Sequence, residues 1–384
     1  MPELPRVALL IETSTSYGRS LLRGVRRYMA EHGPWSLFVE SRSLDSPPPA
    51  WLEGWQGHGI LARSSHPETA QAVQAAGLPV VELRSSTWHP HLPFVGVDNQ
   101  QLGHLAAQHL LERGFRYFAA LTLDQEPQVM QRCESFTQTL AERGYPVAVL
   151  RQALLVAQRA AWEHGQLQMV EWLRRLPKPI GVLACSDQLG FWLLDACQQA
   201  GLAVPEDVAV IGVEDDQPLC EMAQPTLSSV RLNGVETGYQ AASLLARLMQ
   251  GEPVATTPIL IPPQDIMLRQ SSDIVALPDP QVAAAVTYIR QHACRGLSVQ
   301  DVLNVVPMSR SSLERRMKTL LGRSPAAEIT RVRLERVKQL LHETNLTLAA
   351  IADRTGFEHP QYLSTLFKQT FGETPGEYRQ RSFG

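Results

Sequence analysis

A chain of 384 residues, 44% apolar and 19% charged, has an ordinary globular composition and enough length for two or three domains. It contains no run of about 18 apolar residues, which excludes a membrane-spanning helix. The net charge of −3 hides an asymmetry: after residue 275 there are 15 Lys and Arg against 10 Asp and Glu, and up to it 20 against 28. A basic C-terminal module on an acidic body suits a nucleic-acid partner. The five cysteines, Cys133, Cys185, Cys197, Cys220 and Cys294, are scattered without metal-ligand spacing. Buried thiols in a reducing compartment are expected, with no zinc site, no other metal and no cofactor.

In chain order, residues 6–11 form an apolar run that predicts a buried strand and is too short for a signal-peptide core, so the expected location is the cytoplasm. A polar loop at 13–17, a helix at 19–32 and a strand at 35–39 follow, and Pro47-Pro48-Pro49 marks an irregular connection. Strands at 59–61, 79–83 and 94–97 then alternate with helices at 68–76 and 102–113. The alternation begins again with strands at 117–121, 147–150, 180–184 and 208–213 and helices at 131–143, 165–176 and 189–200. Such βα repetition predicts parallel sheets with helices on both faces, here in two successive lobes with a ligand cleft between them. One more strand-helix unit (helix at 235–250) and strands at 259–261 and 265–268 lead to a polar, proline-bearing stretch at 271–280. A boundary there gives domains 1–274 and 275–384.

The C-terminal stretch carries the sharpest local signal. Leu348, Ile351 and Ala352 form a helical stripe, and Gly356 breaks it where a tight turn needs a residue tolerant of positive φ. A second helix places Leu363, Leu366 and Phe367 on one face and His359, Gln361, Ser364, Thr365 and Lys368 on the other. This is the pattern of a helix-turn-helix, whose second helix enters the major groove of double-stranded DNA. A shift of fifty residues lays Leu363 on Leu313, Phe367 on Met317, Lys368 on Lys318, Gly372 on Gly322 and Pro375 on Pro325, so two copies of one unit are expected. The motifs fall at about 298–320 and 347–370. A continuous helix at 325–343, beginning at an N-cap Ser324 with Pro325 behind it, joins them.

The ordered set Ser309-x3-Leu313-x-Arg315, Gly322-x-Ser-Pro325, Arg333-Leu334, Ile351-Ala352-x3-Gly356-Phe357, Phe367-Lys368 and Gly372-x-Thr-Pro375-x2-Tyr378-Arg379 resembles the AraC-type DNA-binding domain. The first 270 residues resemble the sensor core of the LacI family, itself similar to periplasmic binding proteins. The residues that carry this are Val97-Asp98-Asn99-x3-Gly103-x5-His109-Leu110, Arg132-x3-Phe136, Ser186-Asp187 and Val204-Pro205-x-Asp207-Val208-x-Val210-Ile211-Gly212. The expected fold is therefore a two-lobed α/β sensor followed by an all-α reader with two helix-turn-helix motifs.

The resemblance implies a monosaccharide effector, foremost a pentose such as xylose, held by bidentate polar groups and an aromatic plane. It maps Arg132, Asp187 and Glu214 to cleft positions that grip hydroxyls, Trp162 to a ring-stacking position, and Asp98, Asn99, Tyr17 and Arg19 to the first lobe. Structural roles stand beside these: Asp98, Asn99 and Asp187 as helix caps, Arg19 as a solvated helix residue, Trp162 as packing. On the reader, Ser311, Glu314 and Arg315 in the first module and His359, Gln361, Ser364 and Thr365 in the second occupy the expected base-facing positions. Arg310, Arg316, Lys318 and Lys368 suit phosphates.

The functional expectation is a sugar-controlled, sequence-specific transcription regulator, an activator by family likeness, dimeric to engage two half-sites and in contact with RNA polymerase. An enzyme is the competing class, but no G-x-S-x-G, G-x4-G-K-[ST] or H-E-x-x-H is present. Within the regulator class, a different sugar or no small-molecule ligand is the alternative.

Overall fold

The strand-and-helix repetition of the first 274 residues closes into two sheets in a computed structural model that describes residues 4–43, 46–63, 67–84, 91–124, 126–152, 159–254, 257–274, 279–344 and 346–383. The chain divides into two compact units, Met1–Ile274 and Val275–Gly384. Residues 275–278, within the stretch expected to carry the boundary, lie outside the described residues.

The first unit runs β1 (Arg6–Leu10), α1 (Ser16–His32), β2 (Ser36–Val39), β3 (Gly59–Ala62), α2 (Pro67–Ala75), β4 (Val80–Glu82), β5 (Val95–Val97), α3 (Asn99–Glu112), β6 (Tyr117–Leu123), α4 (Pro127–Ala141), β7 (Val147–Gln152), α5 (Arg159–Arg175), β8 (Ile180–Ala184), α6 (Asp187–Ala200), β9 (Val208–Glu214), α7 (Gln217–Met222), β10 (Ser228–Arg231), α8 (Gly234–Met249), β11 (Ile259–Ile261) and β12 (Ile266–Met267). Several helices begin about a turn before the apolar periodicity indicates, because their first turns are polar or proline-led. Thr15 caps α1 by accepting from the Gly18 amide, and Pro127 opens α4.

The first-lobe sheet has the order β2-β1-β3-β4, all parallel. A parallel bridge from Glu82 to Phe94 carries it on to β5, which pairs with β11. The second-lobe sheet has the order β12-β10-β9-β8-β6-β7. The wholly buried runs Gly59–Ala62 and Ile180–Ala184 are what a strand covered on both faces requires. α3 packs against α4 and α5 against α6, the pairing expected where right-handed crossovers carry helices to the two faces of a parallel sheet.

Two features depart from successive lobes of purely parallel strands. β12 runs antiparallel to β10. The lobes also interleave: after β10 the chain returns to the first lobe as α8 and β11, then crosses back to β12. With the passage from β5 into α3, that makes three crossovers, which lie side by side. The Asp98 amide donates to Ile261 O at 2.9 Å, and the Gln264 amide to Arg231 O at 2.9 Å. α8 returns directly onto α1. A Cβ on Gly24 would strike the Val235 carbonyl and one on Gly238 the Leu21 carbonyl, so only glycine lets these backbones meet.

The second unit is helical: α9 (Pro280–His292), α10 (Val299–Val305), α11 (Arg310–Leu321), α12 (Pro325–Glu343), α13 (Leu348–Arg354), α14 (Pro360–Phe371) and α15 (Pro375–Phe383). It has two apolar cores. One gathers Val286, Ile289, Val302, Leu313, Met317 and Ile329, and the other Leu334, Val337, Leu341, Ile351, Leu363 and Phe367. α12 contributes its first half to one core and its second half to the other. The fifty-residue repeat is thus two modules on a shared helix. Gly356 has φ 72 at the turn between α13 and α14, the conformation its position demands.

Candidate effector cleft and nucleic-acid interface

Side chains just past the carboxyl ends of parallel strands collect along one edge of a sheet. In the first lobe these are Glu12 after β1, Arg63 after β3 and Arg84 after β4. In the second they are the Cys185–Asp187 turn after β8 and Glu214, Asp215 and Asp216 at the end of β9. The two edges meet. The Ser16 amide at the start of α1 donates to Asp216 Oδ2 at 3.3 Å, and Arg84 is ion-paired to Glu126 just before α4.

On the first-lobe side, Glu12 is 1% exposed, ion-paired with Arg63, and accepts from Thr15 Oγ1 at 2.9 Å. The Arg63 guanidinium lies 5.1 Å from the centre of the Tyr17 ring. Burial pushes the Glu12 carboxyl up, but the charge of Arg63 and hydrogen bonds from Arg63 and Thr15 outweigh it and hold the group below the usual carboxylate range. Glu12 Oε2 and Arg63 Nε are buried and have no hydrogen-bond partner among the described residues. Unpaired buried polar atoms are costly and rare, and two in one cleft call for a partner.

On the second-lobe side, Arg132 projects from α4 and is 2% exposed. Its Nε donates to Asn99 Oδ1 at 3.2 Å, and its Nη1 to Cys185 O at 2.8 Å and Glu214 Oε1 at 3.3 Å. Glu214 and Asp215 have φ of 113 and 53, backbone that L side chains seldom adopt. Their loop is tied down from behind. The Asp215 amide donates to Ser229 Oγ at 3.0 Å and the Asp216 amide to Asp187 Oδ2 at 2.7 Å, while Ser229 Oγ donates to Asp187 Oδ1 at 2.6 Å. Asp187 is 1% exposed, and the cap of α6 is Ser186, so the capping role considered for Asp187 falls to its neighbour. Burial pushes the Asp187 carboxyl up to about 8 against the hydrogen bonds from Ser229 and Asp216, with Glu214 and Asp215 adding to the rise. It sits behind the loop that shapes the cleft.

Asp98 caps α3 by accepting from the Gln101 amide at 2.9 Å. Asp98 and Asn99 were expected in the first lobe. They open α3, which packs along α4, so Asn99 serves the second lobe. Arg19 is exposed and braces the loop before α1, donating to Thr13 O at 2.8 Å and Ser14 O at 3.0 Å. Trp162 lies near the start of α5 and is 41% exposed. Beside the crossovers a pocket of about 320 Å³ opens between Arg84 and Phe94 of one lobe and Asn99, Gln128 and Gln131 of the other, at the lower end of small-molecule sites. Glu12, Arg63, Arg84, Glu126 and Asp216 were not singled out in the sequence. The available signal was position: Glu12, Arg63 and Arg84 each follow an apolar strand run by one or two residues. Among the described residues no group of three or more His, Cys, Asp or Glu side chains is arranged to hold a metal ion.

In the helical unit, α11 buries Leu313 and Met317 and leaves Ser311, Glu314 and Arg315 exposed. Glu314 accepts from Arg310 Nε at 3.0 Å. α14 buries Leu363 and Phe367; Gln361, Thr365 and Lys368 are exposed, Ser364 is half-buried, and His359 stands exposed at the N-cap. Arg316, counted among the phosphate-facing cations, turns to Asp279 Oδ2 at 2.9 Å. The entry of the chain into each motif is held alike: Arg333 Nη2 donates to Leu297 O at 3.0 Å and Arg379 Nη2 to Leu346 O at 2.7 Å, each the residue before a helix cap.

A two-lobed sensor followed by paired helix-turn-helix motifs defines a ligand-responsive transcription regulator. Residues 107–272 match the periplasmic binding protein-like domain, residues 302–381 the helix-turn-helix domain, and residues 6–100 the XylR N-terminal domain. The chain is 31% identical over 382 residues to the xylose operon regulatory protein of Haemophilus influenzae, covering 97% of this chain and 98% of that one. It is 33% identical over 385 residues to the xylose operon regulatory protein of Escherichia coli K12, covering 97% and 96%. The solved structure of a xylose-binding transcription activator, xylR, superposes with a TM-score of 0.81 at 31% identity over 99% of this chain and 98% of that one. The chain belongs to the family of xylose operon regulatory proteins.

Proposed function

We propose that this protein binds a pentose, xylose foremost, between its lobes and thereby controls how its two reading helices engage an operator. The observation that carries this reading is the pair of unpartnered buried atoms, Glu12 Oε2 and Arg63 Nε, at a lobe-lobe junction that also holds Arg132 and Glu214. An acceptor and a donor side by side match a hydroxyl edge, and the Tyr17 ring, Asn99 and Asp216 supply further contacts. Asp98, Arg19 and Asp187 act on the cleft through the helix start and loops they hold, and Trp162 closes over its rim. Ser311, Glu314, Arg315, His359, Gln361, Ser364 and Thr365 face bases, and Lys368 faces phosphate. The regulator is an activator, works in the cytoplasm as a homodimer so that four helix-turn-helix motifs span paired half-sites, and meets RNA polymerase at the promoter. It has no catalytic activity.

The test is a thermal-shift panel of the purified protein with D-xylose, L-arabinose, D-ribose and D-glucose. A ligand of the native state at a hundredfold excess over its Kd adds about 2.7 kcal/mol. A shift with one pentose supports the reading; a flat panel overturns it. For the reader, Arg315→Ala is expected to weaken operator binding by about 1–3 kcal/mol and relax preference at one base pair, read by gel shift on single-base operator variants. Unchanged affinity and unchanged preference would remove Arg315 from the base-reading set.

A further inference from the structure

The last described residues of the sensor are bolted to its second lobe. Ser271 Oγ donates to Val210 O on β9 at 2.7 Å and accepts from the Ser228 amide on β10 at 2.8 Å. One residue on, the hydroxyl and the carbonyl of Ser272 are both bonded by the far end of α3. His109 Nε2 meets Ser272 Oγ at 3.1 Å, and Arg113 Nε donates to Ser272 O at 3.1 Å. Arg113 Nη1 also donates back to His109 O at 3.3 Å, and the charge of Asp273 attracts Arg113. Ser271 and Ser272 are fully buried. The other end of α3 reaches the cleft: Asn99 holds Arg132, and the Asp98 amide is bonded to Ile261 in a crossover. α3 is a single helix of 14 residues, roughly 20 Å long, with effector groups at one end and the sensor's exit at the other.

We propose that His109 and Arg113 are positioning residues that couple lobe movement to the reader by clamping Ser272, so that residues 270–274 turn with the second lobe as one body. This rests on the sugar-responsive reading above. Without the clamp, Ser272 loses its tie to α3, and rotation of the second lobe no longer sets the direction of residues 272–274. The clamp is indifferent to pH near neutrality, because burial, with Arg113 beside it, pushes the His109 imidazole down to about 3.

The experiment measures operator affinity of the full-length protein with and without D-xylose, together with sugar affinity by calorimetry, for the wild type, Arg113→Ala, Arg113→Lys and Ser272→Ala. Coupling factors between two sites commonly run from about 5 to 150. In Arg113→Ala the factor is expected to fall to within about twofold of unity, while sugar affinity and sugar-free operator affinity each stay within about threefold of wild type. Arg113→Lys restores part of the factor, and Ser272→Ala, which removes the hydroxyl that meets His109 but keeps the carbonyl that Arg113 binds, lowers the factor in part and tests the clamp should Arg113→Ala fail to fold. A coupling factor unchanged in Arg113→Ala and Ser272→Ala overturns the proposal, as does a loss of coupling that only follows a loss of sugar affinity. A wild-type protein that binds none of the panel sugars brings down the functional reading itself, a result distinct from either.

Discussion

An Arg132→Met variant is expected to lose roughly 30- to 4,000-fold in sugar affinity, the range matching about 2–5 kcal/mol for truncating one partner of a buried, hydrogen-bonded charge pair. The guanidinium is 2% exposed and serves three acceptors from separate elements: Asn99, Cys185 O and Glu214. Met fills similar volume without charge. It leaves the Cys185 carbonyl without its charged donor and Glu214 without its ion-pair partner. The orientation of Glu214 depends on that pairing, because its own backbone sits at φ 113. Glu214→Gln keeps the shape and removes the charge, so its loss is smaller, roughly tenfold. Titration calorimetry with the sugar that shifts stability in the panel checks both. A Kd for Arg132→Met within threefold of wild type would confine Arg132 to scaffolding the second lobe.

The second large effect belongs to the reader. Glu328 on α12 is fully buried and accepts from Arg331 at 2.9 and 3.0 Å and from Arg323, with Arg290 of α9 at 4.0 Å. One carboxylate thus ties α9, the loop after α11 and the first turn of α12. Burial pushes its pKa up, but the arginines outweigh that and hold it at about 2. A carboxyl held below its ordinary value of 4.5 stabilises the fold fully above that pH, and the contribution fades as pH falls from 4.5 towards 2. The displacement corresponds to about 3 kcal/mol, an upper figure because the arginines also pay desolvation. Glu328→Gln is expected to lose about that much in the first module at pH 7 and to flatten the acid limb of its stability curve. Hydrogen exchange of the α12 amides between pH 7 and pH 3 measures it. Protection equal to wild type throughout would mean that the apolar core around Ile289, Leu313 and Met317 holds the module without the ion cluster.

Local chemistry was legible in the sequence wherever it repeats over short distances. The helix expected at 325–343 is α12 (Pro325–Glu343), because Ser324, Pro325 and a regular apolar stripe specify its start and its buried face. The glycine turn, the two copies of the reading motif and nearly every strand of the sensor follow from the same kind of signal. What stayed hidden depends on distance along the chain. Glu12 and Arg63 are 51 positions apart, Arg84 and Glu126 are 42, and neither pair has a local pattern that announces it. The return of α8 to the first lobe was equally silent, since a helix after a strand looks the same whichever sheet it rejoins. Only the glycines at 24 and 238, spaced for close backbone approach, mark the pairing of α1 with α8. The burial of Asp187 depends on Ser229 and on a loop whose positive φ values fall on Glu214 and Asp215, residue types that give no warning of it.

The single unbroken helix between the two reading modules makes the length of that helix a phase setting. Each residue of an α-helix adds about 100° of rotation and 1.5 Å of advance. Because α12 is built into both apolar cores, inserting one residue near Val332 would swing the second reading helix about a quarter-turn around the axis relative to the first. DNA presents its major groove on a fixed side once per turn, so such a protein would keep both modules folded and still be unable to seat them together. Lengthening by seven residues nearly restores the angle but moves the modules about 10 Å apart. Operator spacing and the number of residues in α12 therefore cannot drift independently.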